Sequence, residues 1–289
     1  MQERHFRLGL IGHPVEHSIS PVIHGTALGE LGLSGTYAAL DVHPGNLRAW
    51  IGAMSRAGYR GVNVTLPHKQ AVLPLMDSLS PGARAIGAVN TITVQGEGLH
   101  GDNTDHVGFL NPLLAALPSE IRSAAPHTEI RSAALLGAGG SARSVVFALK
   151  QLPALKSLRI FARSPERAQA AIDTLLDGSL DVSFEAWDRR LEVVQETDLI
   201  VNSTPIGMWP NTSLSPLSGG SFRPGQMVYD LIYNPRPTRL LQEAAAAGAV
   251  CVDGLPMLVG QAAAAFEIWT GAAMPLEAVT RAAERALSL

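Results

Sequence analysis

An α/β protein with parallel sheets, covered on both faces by helices, is predicted by three features of the sequence. Short β-branched runs alternate from end to end with Ala/Leu-rich periodic stretches, the pattern of successive β-α-β units. An apolar run, Ala133–Leu136, passes directly into a glycine-rich turn and then a helical stretch. The length, 289 residues, allows two ordinary domains or one large one. With 46% apolar and 16% charged residues, the chain can bury a sizeable core, which excludes a wholly disordered protein.

The elements follow in order. Arg7–Ile11 is the first strand, and Pro21–Leu31 the first helix, with Pro21 suited to a first helical position. Tyr37–Val42 is a strand, Gly45–Ala57 a helix and Gly61–Thr65 a β-branched strand. Gln95–Gly98 reads as a hairpin loop, and Asp105–Leu117 as a helix that opens on an acid. Pro118–Arg131 is polar and irregular, a linker or surface loop before a second domain. That domain alternates strands Ala133–Leu136, Leu158–Phe161, Leu199–Asn202, Met227–Leu231 and Val250–Val252 with helices Gly140–Lys150, Pro165–Leu176 and Arg239–Ala247. Two closing helices, Met257–Thr270 and Pro275–Ala286, can pack on either half.

Charge and targeting narrow the function classes. Lys and Arg number 22 against 25 Asp and Glu, a net charge of −3, so no broad basic surface for nucleic acid or anionic lipid is indicated. A single Cys251 excludes an intramolecular disulfide. The first residues hold too short an apolar run for a signal peptide. The longest apolar stretch, Leu255 to Trp269, is interrupted by Pro256, Gln261 and Glu267. A soluble, cytoplasmic protein is expected.

The turn Gly137-Ala138-Gly139-Gly140-Ser141-Ala142 is a G-x-G-x-x-A dinucleotide fingerprint. Gly137 permits the tight turn, Gly139 lets backbone approach a pyrophosphate, and Ala142 lets the helix lie close to the strand. The helix N-terminus then offers N–H groups to phosphate. After the next strand, where an NAD site would carry an acid, the chain reads Ala162-Arg163-Ser164-Pro165-Glu166-Arg167. Arg163 can face an adenosine 2′-phosphate, with Arg167 helping from the following helix, so NADP is favoured. Both arginines could instead be solvated surface residues.

The first hundred residues place polar side chains around predicted strand ends: Ser18 and Ser20; Asn63, Thr65 and Lys69; Asn90; and Asp102, Asn103 and Asp105. Ligands in open α/β sheets bind outside the carboxyl ends of strands. Each residue also has a structural reading. Ser20 could cap a helix, Thr65 could be an ordinary strand residue, Asp102 and Asn103 could close a turn, and Asp105 could answer a helix dipole.

In order along the chain, His17-Ser18-x-Ser20-Pro21, NVTLPHK, AVNT, GDNTD, GAGGSA, Asn202-Ser203-Thr204-Pro205-x-Gly207-Met208, Tyr229-Asp230-x-x-Tyr233 and Met257-Leu-Val-x-Gln261 resemble shikimate dehydrogenase over nearly the whole chain. The resemblance implies reversible reduction of 3-dehydroshikimate to shikimate with NADPH, in aromatic amino acid biosynthesis. It implies a substrate-binding catalytic domain over 1–106, joined by C-terminal helices 255–289. An NADP-binding Rossmann domain over 107–254 would stand across a cleft, and the protein would be a monomer or homodimer. By resemblance Ser18, Ser20 and Tyr233 hold the substrate carboxylate, while Thr65, Asn90, Asp105 and Gln261 hold ring hydroxyls. Lys69 and Asp105 form the catalytic pair. Ser164 and Thr204 fall on the cofactor side, and Leu231 and Gly254 match backbone near the nicotinamide. Three departures stand out: His24-Gly25 for His-Asn, His106 where Gly is usual, and Pro256 for Gly, expected to stiffen the loop carrying Gly254.

Hydride transfer to a ketone leaves negative charge on oxygen, which Lys69 is expected to meet as a charged donor aimed by Asp105. Other readings are a quinate or quinate/shikimate dehydrogenase, an aminoshikimate-type enzyme, and a non-catalytic sensor on the same fold. A metal hydrolase using His13, His17 and His24 has only loose spacing in its favour, and no metal is expected.

Overall fold

In the computed structural model, residues 5–117, 130–217 and 221–288 are described. The expected loop at 118–129 lies outside them. The chain divides into two compact units, one of Met1–Gly108 with Val259–Leu289 and one of Phe109–Leu258.

In the first unit, β1 (Phe6–Gly12), α1 (Ser20–Glu30), β2 (Gly35–Asp41), α2 (Leu47–Ala53) and β3 (Gly61–Val64) form an α/β layer. After these come β4 (Ser78–Leu79), α3 (Pro81–Ile86), β5 (Thr91–Gln95) and β6 (Gly98–Asp102). The strand order is β2-β1-β3-β5-β6-β4. The first sheet is mixed rather than parallel throughout: β3 pairs with β5 and β5 with β6 in antiparallel sense. A two-residue turn joins β5 to β6, and so short a link can only reverse the chain. The hairpin loop was legible, but its strands, the two-residue β4 and the one-and-a-half-turn α3 were not. They are too short to show a period. Ile11, Val62, Val64 and Ile92 of the sheet pack with Leu47 and Ile51 of α2 and with Met54, which caps its end, in one buried cluster.

The second unit begins within α4 (Asp105–Ala116) and continues with β7 (Ser132–Leu136), α5 (Ala142–Leu149), β8 (Ser157–Ala162) and α6 (Pro165–Ile172). Then come β9 (Asp181–Ala186), α7 (Arg190–Val193), β10 (Leu199–Asn202), β11 (Met227–Asp230), α8 (Arg239–Ala246) and β12 (Val250–Val252). The order β12-β11-β10-β7-β8-β9 is parallel throughout. It is the doubly wound 3-2-1-4-5-6 arrangement counted from β7. Successive side chains of a strand face opposite sides, and both sides are dry. Ala133 and Leu135 join one cluster while Ala134 and Leu136 join the other. Leu199 and Val201 divide from Ile200 in the same way. Burial on both faces is why these strands read as unbroken apolar runs. β9 lies at the sheet edge and is only partly buried, so its sequence DVSFEA carried no such run.

Two last helices, α9 (Gly254–Thr270) and α10 (Leu276–Leu287), close the chain. Pro256 therefore sits in the first turn of a helix rather than in a loop, a position that tolerates proline. Among the described residues no helix is long and apolar enough to cross a membrane.

At the end of β11 the carboxyl of Asp230 is fully buried. Burial pushes its pKa up to about 6, against hydrogen bonds from Thr238, Ile232 and Asn202, with the Asp253 charge adding to the rise. A raised carboxyl favours the protonated folded state. Its contribution is full below the ordinary value near 4 and is lost as pH rises through about 6. Asp230→Asn should remove that loss. We expect the variant to gain on the order of 2–3 kcal/mol relative to the wild type between pH 4 and 7, because the Thr238 hydroxyl can turn to accept from the new amide. Chemical denaturation across that range checks it, and parallel profiles for the two proteins would contradict it.

Candidate active site

In the first sheet, the crossover from β1 runs to β2 on one side and the path to β3 lies on the other. Such a reversal opens a crevice at the carboxyl ends of the strands. Two candidate segments leave those ends. After β1 come Ser18 and Ser20, and after β3 come Thr65 and Lys69.

Ser20 is the first residue of α1 and is buried. The reading of Ser20 as an N-cap is not met: Ile19 takes the cap position, with no side-chain cap bond. Instead the Ser18 hydroxyl donates to Ser20 Oγ at 3.1 Å and accepts from the Ser20 backbone N–H at 3.2 Å. Two hydroxyls are thus held side by side.

Lys69 Nζ stands 2.6 Å from Asp105 Oδ2. Both side chains are largely shielded, at 15% and 7% exposure, so the pair is less screened than a surface one. Asp105 opens α4, where a carboxylate suits the positive helix end. Its other oxygen, Oδ1, accepts from Asn90 Nδ2 at 2.7 Å. Asn90 precedes β5, so it lies at the amino end of an antiparallel strand and not at a carboxyl end as the sequence suggested. The reversal of β5 brings it to the edge where β3 and β6 finish. Asp102 ends β6, and Asn103 donates to the Ala88 carbonyl while accepting from the Asp105 N–H. Thr65 follows β3 half-buried, and Gln261 lies on α9.

His106 packs on Gly82 of α3. Burial lowers its pKa, against the Asn103 backbone and the Asp105 and Asp102 charges. His24 is fully buried and lies flat on the Tyr37 ring, 4.2 Å between centroids. Burial lowers its pKa to about 3. His13 pairs with Asp41 at 2.6 Å. Among the described residues no group of three His, Cys, Asp or Glu is placed to hold a metal ion. The histidine-based hydrolase reading thus has no geometry behind it.

In the second unit a cavity of about 840 Å³ opens at the carboxyl ends of β7, β8 and β10, lined by Gly137, Ala138, Gly139, Arg163, Ser164, Arg167, Ser203 and Thr204 among others. Gly137 has φ +97°, and an added Cβ would stand 2.8 Å from the Thr204 methyl. Glycine is therefore required there. At Gly139 an added Cβ would meet no protein atom within 4 Å, so that backbone is bare toward the cavity. Ala142 is fully buried at the start of α5, and Ser141 occupies the cap position without a side-chain cap bond. Gly140 is exposed in the same turn. Arg163 and Arg167 are exposed in the cavity wall. Ser164 also caps α6 and donates to Glu166 at 3.1 Å. A bare backbone turn, a helix start and two guanidiniums fit a phosphorylated dinucleotide.

Asn202 anchors the rest of this unit's candidates. Its Oδ1 accepts from the Thr204 N–H and hydroxyl, and its Nδ2 donates to Asp230. Leu231 and Tyr233 follow Asp230, and burial raises the Tyr233 pKa. Gly254 packs against the Leu231 carbonyl so closely that no side chain fits. Nothing in local sequence pattern pointed to Asn202 and Asp230 as the brace under these residues.

Comparison with known proteins adds the following. Residues 10–92 match the shikimate dehydrogenase substrate binding domain, and residues 254–284 match the shikimate 5′-dehydrogenase C-terminal domain. The chain is 41% identical over 283 residues to a shikimate dehydrogenase (NADP(+)) of Moorella thermoacetica, covering 97% of this chain and 93% of that one. It resembles the crystal structure of shikimate 5-dehydrogenase from Thermus thermophilus in complex with NADP(H) and shikimate. That match has a TM-score of 0.84 and 40% identity, over 98% of this chain and 100% of that one. Quinate dehydrogenase from Corynebacterium glutamicum in complex with NAD matches with a TM-score of 0.88 at 30% identity, over 99% and 100%.

Proposed function

The chain belongs to the shikimate dehydrogenase family, and from that membership we propose that it is an NADP-dependent shikimate dehydrogenase acting in the cytoplasm on the biosynthetic route to aromatic amino acids. It reduces 3-dehydroshikimate reversibly to shikimate. The observation that supports this most is the shielded 2.6 Å pair of Lys69 and Asp105, set where the first sheet opens.

NADPH, when bound, supplies the hydride, and Gly137 to Ala142, Arg163, Ser164, Arg167, Thr204, Leu231 and Gly254 are the residues that would hold it. The chain's own groups do the rest. Lys69 gives a proton to the carbonyl oxygen that becomes a ring hydroxyl, and its charge stabilises negative charge building there. Asp105 aims Lys69 with one oxygen and is itself held by Asn90 through the other. Thr65, Asn90 and Gln261 recognise ring hydroxyls. Ser18 and Ser20, with Tyr233, offer hydroxyl donors to the carboxylate. A site built of such donors rejects analogues that leave them unpaired.

Ser18→Ala should raise KM for shikimate about 10–100-fold with little change in kcat, since one donor to a charged oxygen is worth roughly 1.5–3 kcal/mol. An unchanged KM would remove Ser18 from the carboxylate contact.

Quinate oxidation is a second reading, favoured by the similarity to the NAD-bound quinate dehydrogenase. Arg163 and Arg167 in place of an acid favour NADP and shikimate. Steady-state rates with shikimate and quinate, each with NADP and NAD, decide between them. We expect shikimate with NADP to give the highest kcat/KM, and no turnover with any pairing would leave a ligand sensor.

A further inference from the structure

We propose that Thr91, Asn63 and Tyr37 form a buried relay that positions Asp105, with Thr91 as its central positioning residue. The inference rests on Lys69 and Asp105 being the proton-transfer pair.

The direction of each bond can be worked out. The Thr104 backbone N–H donates to Asn90 Oδ1 at 2.7 Å. A backbone N–H can only donate, so this atom is the carbonyl oxygen, and Nδ2 is what faces Asp105 Oδ1. The Thr91 hydroxyl donates to the same Asn90 oxygen at 2.9 Å. With its hydrogen used there, Thr91 Oγ1 accepts from Asn63 Nδ2 at 3.3 Å. Asn63 Nδ2 also donates to the Asn90 main-chain carbonyl at 3.2 Å. Asn63 Oδ1 is left to accept from the Tyr37 hydroxyl at 2.7 Å. One head-to-tail chain of donors, from Tyr37 through Asn63, Thr91 and Asn90, therefore runs to Asp105, while the Asn90 amide also donates to Thr104 Oγ1 at 2.9 Å.

Head-to-tail bonds in a dry setting polarise one another. This setting is dry: Asn63, Asn90 and Thr91 are all at most 5% exposed. The central step is fixed by sheet register, since Asn63 of β3 stands directly opposite Thr91 of β5. The outer end is fixed by the stacking of Tyr37 on His24, with ring planes within 3°. Together with Thr104, whose N–H and hydroxyl reach the same Asn90 oxygen, the relay holds the Asn90 amide in the orientation that donates to Asp105, leaving Asp105 Oδ2 for Lys69.

Thr91→Val keeps the shape and the strand preference but removes donor and acceptor. In the full-length protein it should lower kcat for shikimate oxidation about tenfold with KM for shikimate changed less than about twofold, and Thr91→Ser should restore kcat. Tyr37→Phe, whose ring keeps its seat on His24, should lower kcat about threefold. The double variant should be no slower than Thr91→Val, because a break at Thr91 already isolates Tyr37. A Thr91→Val kcat within twofold of wild type, a serine variant as slow as the valine one, or additive losses would overturn the relay. If Thr91→Val does not fold, Tyr37→Phe decides alone: an unchanged kcat overturns it. Wild-type protein without shikimate activity would remove the functional reading and the relay together, whereas active wild type with indifferent Thr91 removes only the relay.

Discussion

Lys69→Ala is expected to lower kcat by about 10²–10⁴-fold while shikimate affinity changes little, the range for loss of a positioned proton donor. The expectation follows from the geometry. Lys69 is held at 2.6 Å by Asp105, which Asn90 grips from the other side. The ammonium therefore does not spend its charge searching for a pose. In the proposed reaction it would meet the developing alkoxide where little water screens it, an interaction that grows only as the transition state forms. Losing it should lower kcat and kcat/KM together. The variant leaves Asp105 without its cation, but Asn90 and the start of α4 still support the carboxylate. Steady-state kinetics alongside calorimetric titration with shikimate separates the two effects. Turnover within a few fold of wild type would take Lys69 out of the mechanism.

Arg163→Ala is expected to weaken NADPH binding by about 10–100-fold and to leave NADH nearly unchanged. A charge-assisted bond to phosphate is worth roughly 1.5–3 kcal/mol, and only NADPH carries the 2′-phosphate. Arg163 follows β8 at the place where a ribose-binding acid would stand in an NAD site. It lines the same cavity as the Gly137–Gly139 turn. Arg167, in the first turn of α6 and on the same wall, should retain part of the preference, so the double variant should approach indifference between the cofactors. Equal losses for NADPH and NADH on fluorescence titration would show that Arg163 does not read the 2′-phosphate.

How much of this could be read from sequence depended on the range of the interaction. The second unit's strands were legible because doubly buried parallel strands must be apolar on both faces, as Ala133 to Leu136 are. The glycine turn was legible because a positive φ at Gly137 beside Thr204 leaves only one residue type. The strands of the β5–β6 hairpin, unlike its loop, and the edge strand β9 were not, because their stability comes from neighbours in the sheet rather than from a pattern of their own.

The amino-acid order alone determined the alternation of strands and helices, the dinucleotide turn, the arginine in place of an acid, and which polar residues had no need in a core. It could not bring them together. Lys69 and Asp105 are 36 residues apart, and they meet because antiparallel β5 starts at the edge where β3 and β6 end. The same strand reversal seats Asn90 beneath Asp105 and sets Thr91 opposite Asn63. Strand pairing over such separations is fixed only when the whole sheet closes, since each pairing costs loop entropy that no single contact repays.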